Sequence, residues 1–338
     1  MTAGTPGTSI SFSRGRDKDT LVASTRSRWQ SLPTEAINPA SLNIDKLEAG
    51  GIVDLMLAED RRMLAAVQKE RDRIALGADI CAKALRKGGR LVFVGAGTSG
   101  RLGVVESAEM PPTFGTNPLL VQGIMAGGKN AIIRAKEGSE DNYEEGARAI
   151  TRLDPTKKDV VIGVSASGMT PFVRGALTSA RKAGSRVVFV TCDPRNEMQA
   201  FVDLTIAPAV GPEIIAGSTR LKAGTATKIV LNMLTTSAMV LIGKTYGNLM
   251  VDVNALGSEK LRDRARRIVH IVTDLDYEEA EKLLKKAKWN VKIAIVMQKT
   301  GLTYAKSITR LRKSDDLIRE AIGEDIEPRL RALIGGVL

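Results

Sequence analysis

Five short aliphatic runs that alternate with helical segments constrain the fold of this chain more than any other feature. The runs occupy residues 90–95, 118–125, 159–165, 186–191 and 203–208, and helical patterns begin near residues 100, 139 and 171. Strands that are apolar on both faces and separated by helices form parallel sheets with helices on each side. The sequence therefore predicts an α/β protein in which a parallel sheet forms the middle of a three-layer sandwich.

Helical segments flank the predicted sheet in the sequence. Residues 52–87 repeat apolar side chains at helical spacing and predict two helices, the second of which ends at Gly88 and Gly89. After Glu259 no strand pattern remains, so we predict a small C-terminal helical subdomain. Its helical stretches lie near residues 259–272, 277–288, 290–299 and 303–322. The predicted organisation is a mobile tail at 1–33, a sheet domain with its N-terminal helices at 34–255, and the helical subdomain at 256–338.

Composition and cysteine usage favour a cytoplasmic protein. Of the 338 residues 43% are hydrophobic, which is enough for a sizeable core, and Cys81 and Cys192 lack the spacing of a disulfide framework. Residues 1–30 lack the continuous apolar stretch of a signal peptide. The fifteen apolar-rich residues between Lys228 and Lys244 include several polar side chains and are too few to span a bilayer. We expect this segment to be a buried helix and the protein to have no membrane partner.

Charge and histidine content exclude two further classes. The net charge of +12 is spread along the chain without a basic run interleaved with aromatics, so we predict no nucleic-acid partner. His270 is the single histidine, and a site with two or three imidazoles on one metal cannot form within one chain. We therefore expect no metal, and acid–base chemistry that rests on Glu, Asp, Lys or Tyr.

A glycine-rich turn follows the first predicted strand. Gly95, Gly97 and Gly100 match the dinucleotide pattern G-x-G-x-x-G, but the next strand lacks the acidic residue that would hold a ribose. The turn also carries Thr98 and Ser99, whose hydroxyls lie beside the free N–H groups of a helix start. That combination favours a phosphate monoester over a dinucleotide.

Two further segments repeat this chemistry. The loop after the third strand contains Ser165, Ser167 and Thr170, and both loops leave the carboxyl ends of parallel strands, where they can face one crevice. Ordinary helix capping explains either loop alone, but two such loops favour a shared anion site. The segment 211–228 adds hydroxyls and cations as weaker candidates, namely Ser218, Thr219 and Lys222. It is also compatible with a helix start followed by an interface helix of small residues.

Acidic residues cluster in two places. Glu106 and Glu109 are three residues apart on the helix after the phosphate turn, and Glu140 belongs to an acidic group at the start of another helix. The helix dipole alone favours acids at a helix N-terminus, so the residues by themselves favour a structural role for any one of these acids over a catalytic one.

Six motifs have the order and spacing of one known family: GAGTSGRLG, AEMPPTFG, EGSED, SASGMTPFV, GSTRLKAGTA and NMLTTSAMVLIGKTYGNLMVDV. Over about residues 34–300 the chain resembles the N-acetylmuramic acid 6-phosphate etherases, which are phosphosugar enzymes of the sugar-isomerase (SIS) type. The resemblance implies a SIS fold, a homodimer, and cofactor-free removal of D-lactate that leaves N-acetylglucosamine 6-phosphate. Glu106 stands where the family usually carries Asp, and Thr227 where Gln is common.

The resemblance also implies roles for two glutamates. Glu109 falls in the Glu-x-Pro-Pro-Thr motif and Glu140 in the Glu-Gly-x-Glu-Asp motif. Ring opening exposes an aldehyde at C1 and acidifies the C2 proton, which a carboxylate can remove while a carboxylic acid protonates the departing oxygen. We assign Glu140 as the C2 base and Glu109 as the acid that later activates water, with the reverse assignment open. The predicted substrate-binding residues are Thr98, Ser99, Ser165, Ser167, Thr170, Ser218, Thr219 and Lys222.

Two other functions are compatible with this type of domain. One is a non-catalytic regulator that senses a phosphosugar, since the sheet also resembles the halves of vertebrate glucokinase regulatory proteins. The other is a phosphosugar isomerase. The presence of both Glu109 and Glu140 favours the enzyme.

Overall fold

A parallel sheet forms the centre of the protein, as the sequence predicts. The computed structural model describes residues 32–335, so nearly all of the predicted tail at 1–33 lies outside the described residues. The strands are β1 (Leu91–Gly95), β2 (Val121–Met125), β3 (Val160–Val164), β4 (Arg186–Val190) and β5 (Leu204–Ile206). They are all parallel and lie in the order β2-β1-β3-β4-β5.

The order of the strands creates a crevice at one edge of the sheet. Gly95, at the end of β1, pairs with Met125 of β2 on one side and with Val164 of β3 on the other. After β1 the chain first forms β2 and then returns to the opposite side of β1 to form β3. Connections that leave in opposite directions open a crevice at the carboxyl ends of the strands, where α/β proteins bind ligands.

Helices cover both faces of the sheet. The helices of this region are α1 (Ala49–Lys69), α2 (Arg71–Arg86), α3 (Gly97–Phe114), α4 (Asn130–Ile133), α5 (Tyr143–Thr151), α6 (Pro171–Lys182) and α7 (Lys222–Leu241). Phe93 and Ile162 of the sheet pack with α1, α2, α3 and α7, whereas Val92 and Val161 pack with α5 and α6 on the other face. The predicted three-layer sandwich is confirmed.

Two local features differ from the predicted pattern. The helix expected near residue 139 begins at Tyr143, because Gly138 has a positive φ of 77° and the Asn142 side chain caps the helix by accepting from Glu145 N. The helix α4 has only four residues, too few to give a periodic signal in the sequence.

The C-terminal region is helical, as predicted. Up to residue 335, where the described part of the chain ends, its helices are α8 (Glu259–Thr273), α9 (Tyr277–Lys286), α10 (Val291–Thr300), α11 (Tyr304–Lys313), α12 (Ile318–Ile322) and α13 (Glu327–Gly335). The stretch predicted at 303–322 is divided because Asp315 and Asp316 have positive φ angles of 51° and 60°. The apolar core of this region also includes Tyr246 and Val251, which precede the predicted boundary at residue 256.

Neither cysteine forms a disulfide. Cys81 and Cys192 are free and buried, and burial raises the pKa of each thiol to about 12. Both thiols therefore stay protonated and poorly reactive at neutral pH. Across residues 32–335 no helix has the length and apolar content needed to cross a membrane.

Candidate functional site

A cleft of about 520 Å³ lies at the carboxyl ends of β1 and β3. The starts of α3 and α6 and the segment before α7 line it. Seven of the eight predicted substrate-binding residues lie in this one cleft: Thr98, Ser99, Ser165, Ser167, Thr170, Ser218 and Thr219. The structure thus brings three hydroxyl-rich loops together from distant parts of the chain.

The first loop joins β1 closely to α3. A Cβ on Gly95 would lie 2.7 Å from the backbone N of Gly100, so only glycine permits this approach of strand and helix. Among the residues that the structure describes, no side chain caps the start of α3, so its first N–H groups lie open beside Thr98 and Ser99. Open amides at the positive end of a helix dipole, with two hydroxyls beside them, are groups that can bind an anion.

The second loop holds its own hydroxyls in place. Ser165 Oγ and Thr170 Oγ1 share a hydrogen bond of 2.7 Å, and Gly168 N donates to Ser165 Oγ over 3.1 Å. Asn196 Nδ2 donates to the carbonyl of Gly168 over 2.8 Å and supports the loop from outside. Ser165 is buried, whereas Ser167 and Thr170 are half-buried and face the cleft. Ser165 therefore orients the loop, and Ser167 and Thr170 are the hydroxyls more open to a ligand.

The third loop is held from behind by buried charged residues. Glu213 accepts from Lys222 N over 3.1 Å and from Ala223 N over 2.8 Å, so its carboxylate caps α7. The Lys222 side chain turns away from the cleft and donates to Glu59 of α1 in the protein interior. Lys222 is thus the one predicted substrate-binding residue that does not line the cleft.

The pKa values of Glu213 and Glu59 are shifted in opposite directions. Burial raises the pKa of Glu213 above its usual value, and the backbone hydrogen bonds from Ala223 and Lys222 offset only part of the rise. Burial also acts to raise the pKa of Glu59, but hydrogen bonds from Lys222 and Asn38 and nearby positive charges bring its net pKa below the usual value. Glu59 is therefore ionised at neutral pH.

Glu140 lies in the hydroxyl-lined cleft. Its backbone carbonyl accepts from Phe172 N over 2.9 Å, which ties the acidic loop to the start of α6. The Glu140 residue is half-buried among the cleft residues. Glu140 therefore lies in the same cleft as the predicted substrate-binding hydroxyls.

Glu109 lies in a different place. It is exposed, and it lines a separate cleft of about 360 Å³ between α3 and α7 together with Lys228, Asn232 and Thr236. Ten residues of α3 separate it from Ser99, which corresponds to about 15 Å along the helix axis. Within one chain the structure therefore does not bring the two predicted acid–base glutamates together.

Glu106 is one turn away from Glu109 on α3, and its carboxyl makes hydrogen bonds within the protein. It is buried, and it accepts hydrogen bonds from Asn232 and Thr235 of α7. Burial raises the pKa of Glu106, the hydrogen bonds and the charge of Lys228 offset part of this, and the nearby charge of Glu109 adds to the rise. The Glu106 carboxyl fastens α3 to α7.

Several cleft residues were not among the predicted set: Glu35, Arg101, Lys136, Glu137, Ser139 and Arg220. Arg101 donates from Nε to the carbonyl of Ile132 over 2.9 Å and from Nη2 to that of Ala131 over 2.8 Å, and so holds α4 against the cleft. The position of Arg101 directly after Gly100 of the glycine-rich turn could have marked it as a candidate cleft residue in the sequence. Glu35 has no such signal, because it reaches the cleft from a segment far from the sheet in sequence.

Among the described residues 32–335 no group of three or more His, Cys, Asp or Glu side chains could hold a metal ion.

The fold and the hydroxyl-lined cleft define a protein of the sugar-isomerase (SIS) class, and residues 73–181 match the family described as glucokinase regulatory protein N-terminal SIS domain. Among solved structures, a phosphoheptose isomerase from Neisseria gonorrhoeae is similar with 15% identity and a TM-score of 0.44, over 57% of this chain and 98% of that one.

Curated relatives are similar over nearly the whole chain. An N-acetylmuramic acid 6-phosphate etherase from Microcystis aeruginosa is 49% identical over 298 residues, which are 87% of this chain and 97% of the relative. One from Rippkaea orientalis is 51% identical over 271 residues, or 80% of this chain and 88% of the relative. The chain belongs to the N-acetylmuramic acid 6-phosphate etherase family.

Proposed function

We propose that this protein is a carbon–oxygen lyase that cleaves the D-lactyl ether of N-acetylmuramic acid 6-phosphate. The products are N-acetylglucosamine 6-phosphate and D-lactate, as expected for an enzyme of cell-wall amino-sugar recycling. The observation that carries the proposal is the cleft in which three hydroxyl-rich loops meet Glu140, in a chain of the etherase family.

The start of α3 is the proposed phosphate site. Thr98 and Ser99 lie beside its uncapped N–H groups, and Ser167 and Thr170 face them from the neighbouring loop. A dianionic phosphate gains from the helix dipole and from the open donors. The third loop, with Ser218 and Thr219, then lies against the sugar. We propose no metal, nucleotide or other cofactor in this site.

The reaction is an elimination followed by addition of water. In the ring-opened sugar Glu140 removes the C2 proton, the bond between C3 and the ether oxygen breaks, and a protonated Glu109 delivers its proton to the departing lactate oxygen. Glu109, now ionised, takes a proton from water as the hydroxyl adds to C3, and C2 regains a proton from Glu140. Both glutamates end in their starting protonation states.

We further propose that the protein is a cytoplasmic homodimer. The two free, buried cysteines are compatible with a reducing compartment. The apolar side chains exposed on α1, α3 and α7 favour a dimer, since large apolar patches on soluble proteins mark interfaces. Neither a nucleic acid nor a membrane is a partner in this proposal.

The direct test is lactate release from N-acetylmuramic acid 6-phosphate by protein treated with EDTA and supplied with no nucleotide. We expect stoichiometric D-lactate and N-acetylglucosamine 6-phosphate. Activity that disappears on chelation and returns with zinc or magnesium would overturn the cofactor-free mechanism. Binding of the substrate without lactate release would favour a phosphosugar sensor, and interconversion of an aldose and a ketose phosphate would favour an isomerase.

A further inference from the structure

The proposed elimination starts from an open-chain sugar, and neither Glu140 nor Glu109 opens the ring in that scheme. A hexose 6-phosphate in water is mainly a closed ring, in which C1 is bonded to both O1 and O5. The C2 proton becomes acidic only after the bond between C1 and O5 breaks and C1 becomes an aldehyde. A group that takes the proton from O1 and gives one to O5 accelerates this step.

Glu35 is an acidic residue of the cleft without a role in the proposed reaction so far. It is exposed, and it lines the cleft together with Ser218 and Thr219. Among the described residues 32–335, no group forms a hydrogen bond or an ion pair with the Glu35 carboxylate. Its oxygens are therefore available to accept a hydrogen bond from a ligand.

The backbone of Glu35 is fixed by contacts on both sides of it. Gly217 N donates to the carbonyl of Thr34 over 3.3 Å, and Asn38 Nδ2 donates to the carbonyl of Pro212 over 3.1 Å. Thr34 and Asn38 are buried, whereas Glu35 between them is exposed. These contacts tie the segment of Glu35 to the third hydroxyl-rich loop, so its side chain has a defined place at the edge of the cleft.

Gly217 leaves room for the Glu35 carboxylate. A Cβ at position 217 would lie 2.9 Å from Glu35 Oε2, closer than a side chain packs without displacing its neighbour. The φ angle of Gly217 is 76°, a left-handed conformation that favours glycine. The carboxylate therefore lies against the backbone directly before Ser218, in the loop that is proposed to contact the sugar.

The charges of the substrate indicate which of its groups faces Glu35. N-acetylmuramic acid 6-phosphate carries a phosphate on C6 and a lactyl carboxylate on C3, and a second carboxylate repels both. The favourable partners of Glu35 are hydroxyl donors, which the sugar has on C1 and C4. The C4 hydroxyl stands between the two anionic substituents, whereas the C1 hydroxyl is at the opposite end of the sugar from the phosphate. The C1 hydroxyl is therefore the favoured partner.

We propose that Glu35 is a catalytic residue that opens the sugar ring. Its carboxylate takes the proton from O1, the bond between C1 and O5 breaks with its electron pair on O5, and the protonated Glu35 delivers this proton to O5. C1 is then an aldehyde, and Glu35 is again a carboxylate. Because O1 and O5 are both bonded to C1, one carboxyl group can reach both. This inference rests on the proposed etherase function and adds a step before Glu140 acts.

The test is the exchange between the two anomers of N-acetylglucosamine 6-phosphate, which has the O1 hydroxyl but no lactyl ether. Every exchange passes through the open sugar, and exchange NMR of the anomeric protons measures its rate. We expect wild-type protein to accelerate the exchange and Glu35→Gln to reduce the acceleration by roughly tenfold or more. Glu140→Gln should lose lactate release but keep the exchange, because ring opening does not involve the C2 proton.

Two further variants complete the comparison. Glu35→Asp keeps a carboxyl group on a shorter side chain and should restore part of the exchange. Glu48→Gln, an exposed substitution directly before α1, is the matched control and should match wild type in exchange and in lactate release. Anomer exchange at the wild-type rate in Glu35→Gln, or no acceleration by wild-type protein, would overturn the inference.

An isotope effect separates ring opening from simple binding. With substrate deuterated at C2, Glu35→Gln should have a lower kcat and a smaller isotope effect on kcat than wild type, because ring opening becomes the slow step. Its affinity for N-acetylglucosamine 6-phosphate should stay within a few-fold of wild type. A raised KM with unchanged kcat and isotope effect would show that Glu35 only binds the sugar, which contradicts the proposed role.

The failure of this inference differs from the failure of the proposed function. Equal lactate release and equal anomer exchange in wild type and Glu35→Gln would overturn the role of Glu35 and leave the etherase function intact. Wild-type protein without lactate release would overturn the etherase function, whereas anomer exchange would still report whether Glu35 opens the ring.

Discussion

Lys222 Nζ donates to Glu59 Oε2, and the two side chains are 4% and 5% exposed. This ion pair joins the first residue of α7 to the middle of α1. Asn38 Nδ2 also donates to Glu59 over 2.9 Å and to the carbonyl of Pro212 over 3.1 Å. The cluster thus fixes both ends of the loop that brings Ser218 and Thr219 to the cleft.

Removing one partner of this pair should destabilise the protein. We expect Lys222→Met to lower the free energy of unfolding by about 3 kcal/mol, because it removes the buried cation and leaves Glu59 with only the hydrogen bond from Asn38 and the largely exposed Arg62. Urea denaturation measures the change. Lys228→Met, at an exposed position of the same helix, should change the free energy of unfolding by less than about 0.5 kcal/mol. The double variant Lys222→Met/Glu59→Gln should recover part of the loss, and equal effects of Lys222→Met and Lys228→Met would contradict the role of the pair.

Substitution of Glu140 should strongly reduce turnover without loss of binding. We expect Glu140→Gln to reduce lactate release by roughly a hundredfold or more, because a positioned base contributes that much to proton transfer. Calorimetric titration with N-acetylglucosamine 6-phosphate should show affinity within a few-fold of wild type, since the phosphate site is unchanged. Glu144→Gln, an exposed substitution on the first turn of α5, is the matched control and should stay active.

Solvent isotopes should distinguish elimination from direct hydrolysis. Product formed in heavy water should carry deuterium at C2, because Glu140 exchanges the proton it removes with solvent. Product formed in oxygen-18 water should carry the label on the C3 hydroxyl of the sugar, and the lactate should keep its unlabelled ether oxygen. Mass spectrometry of both products locates the label. Oxygen-18 in the lactate alcohol would exclude the mechanism even if the substrate is correct.

Acid stability should depend on Asp159 at the start of β3. Burial acts to raise the pKa of Asp159, but hydrogen bonds from the Arg90 side chain and from the backbone N–H groups of Thr156 and Arg90 bring the net pKa below its usual value. A carboxyl whose pKa is lowered in the folded state stabilises the protein above its unfolded pKa. This stabilisation is lost as the pH falls through the folded value.

We therefore expect wild-type protein to lose stability steeply below about pH 4. Asp159→Asn should be less stable at pH 7 and lose less on acidification, as measured by thermal unfolding between pH 7 and pH 3. Asp79→Asn, at an exposed position on α2, should follow the wild-type curve. An Asp159→Asn curve parallel to that of wild type would show that this carboxyl does not control acid stability.

Much of the fold was predictable because it depends on local patterns. Short β-rich apolar runs separated by helical periodicity specify a parallel sheet covered on both faces, and hydroxyls placed after two strands meet because parallel strands end at one edge. Ser165 and Thr98 could therefore be predicted to share a cleft. The division of the last predicted helix at Asp315 and Asp316 was not predictable, since aspartate adopts helical as well as left-handed backbone angles.

Spacing along single segments was enough to predict the class of fold, the family and the hydroxyl-rich loops that line the cleft. The pairing of Lys222 with Glu59, more than one hundred and sixty residues away, could not be predicted and became clear from the folded structure. It also placed Glu109 on an exposed face apart from Glu140. The physical reason is that the period of a helix shows which residues share a face, whereas the partner of that face depends on how distant segments pack.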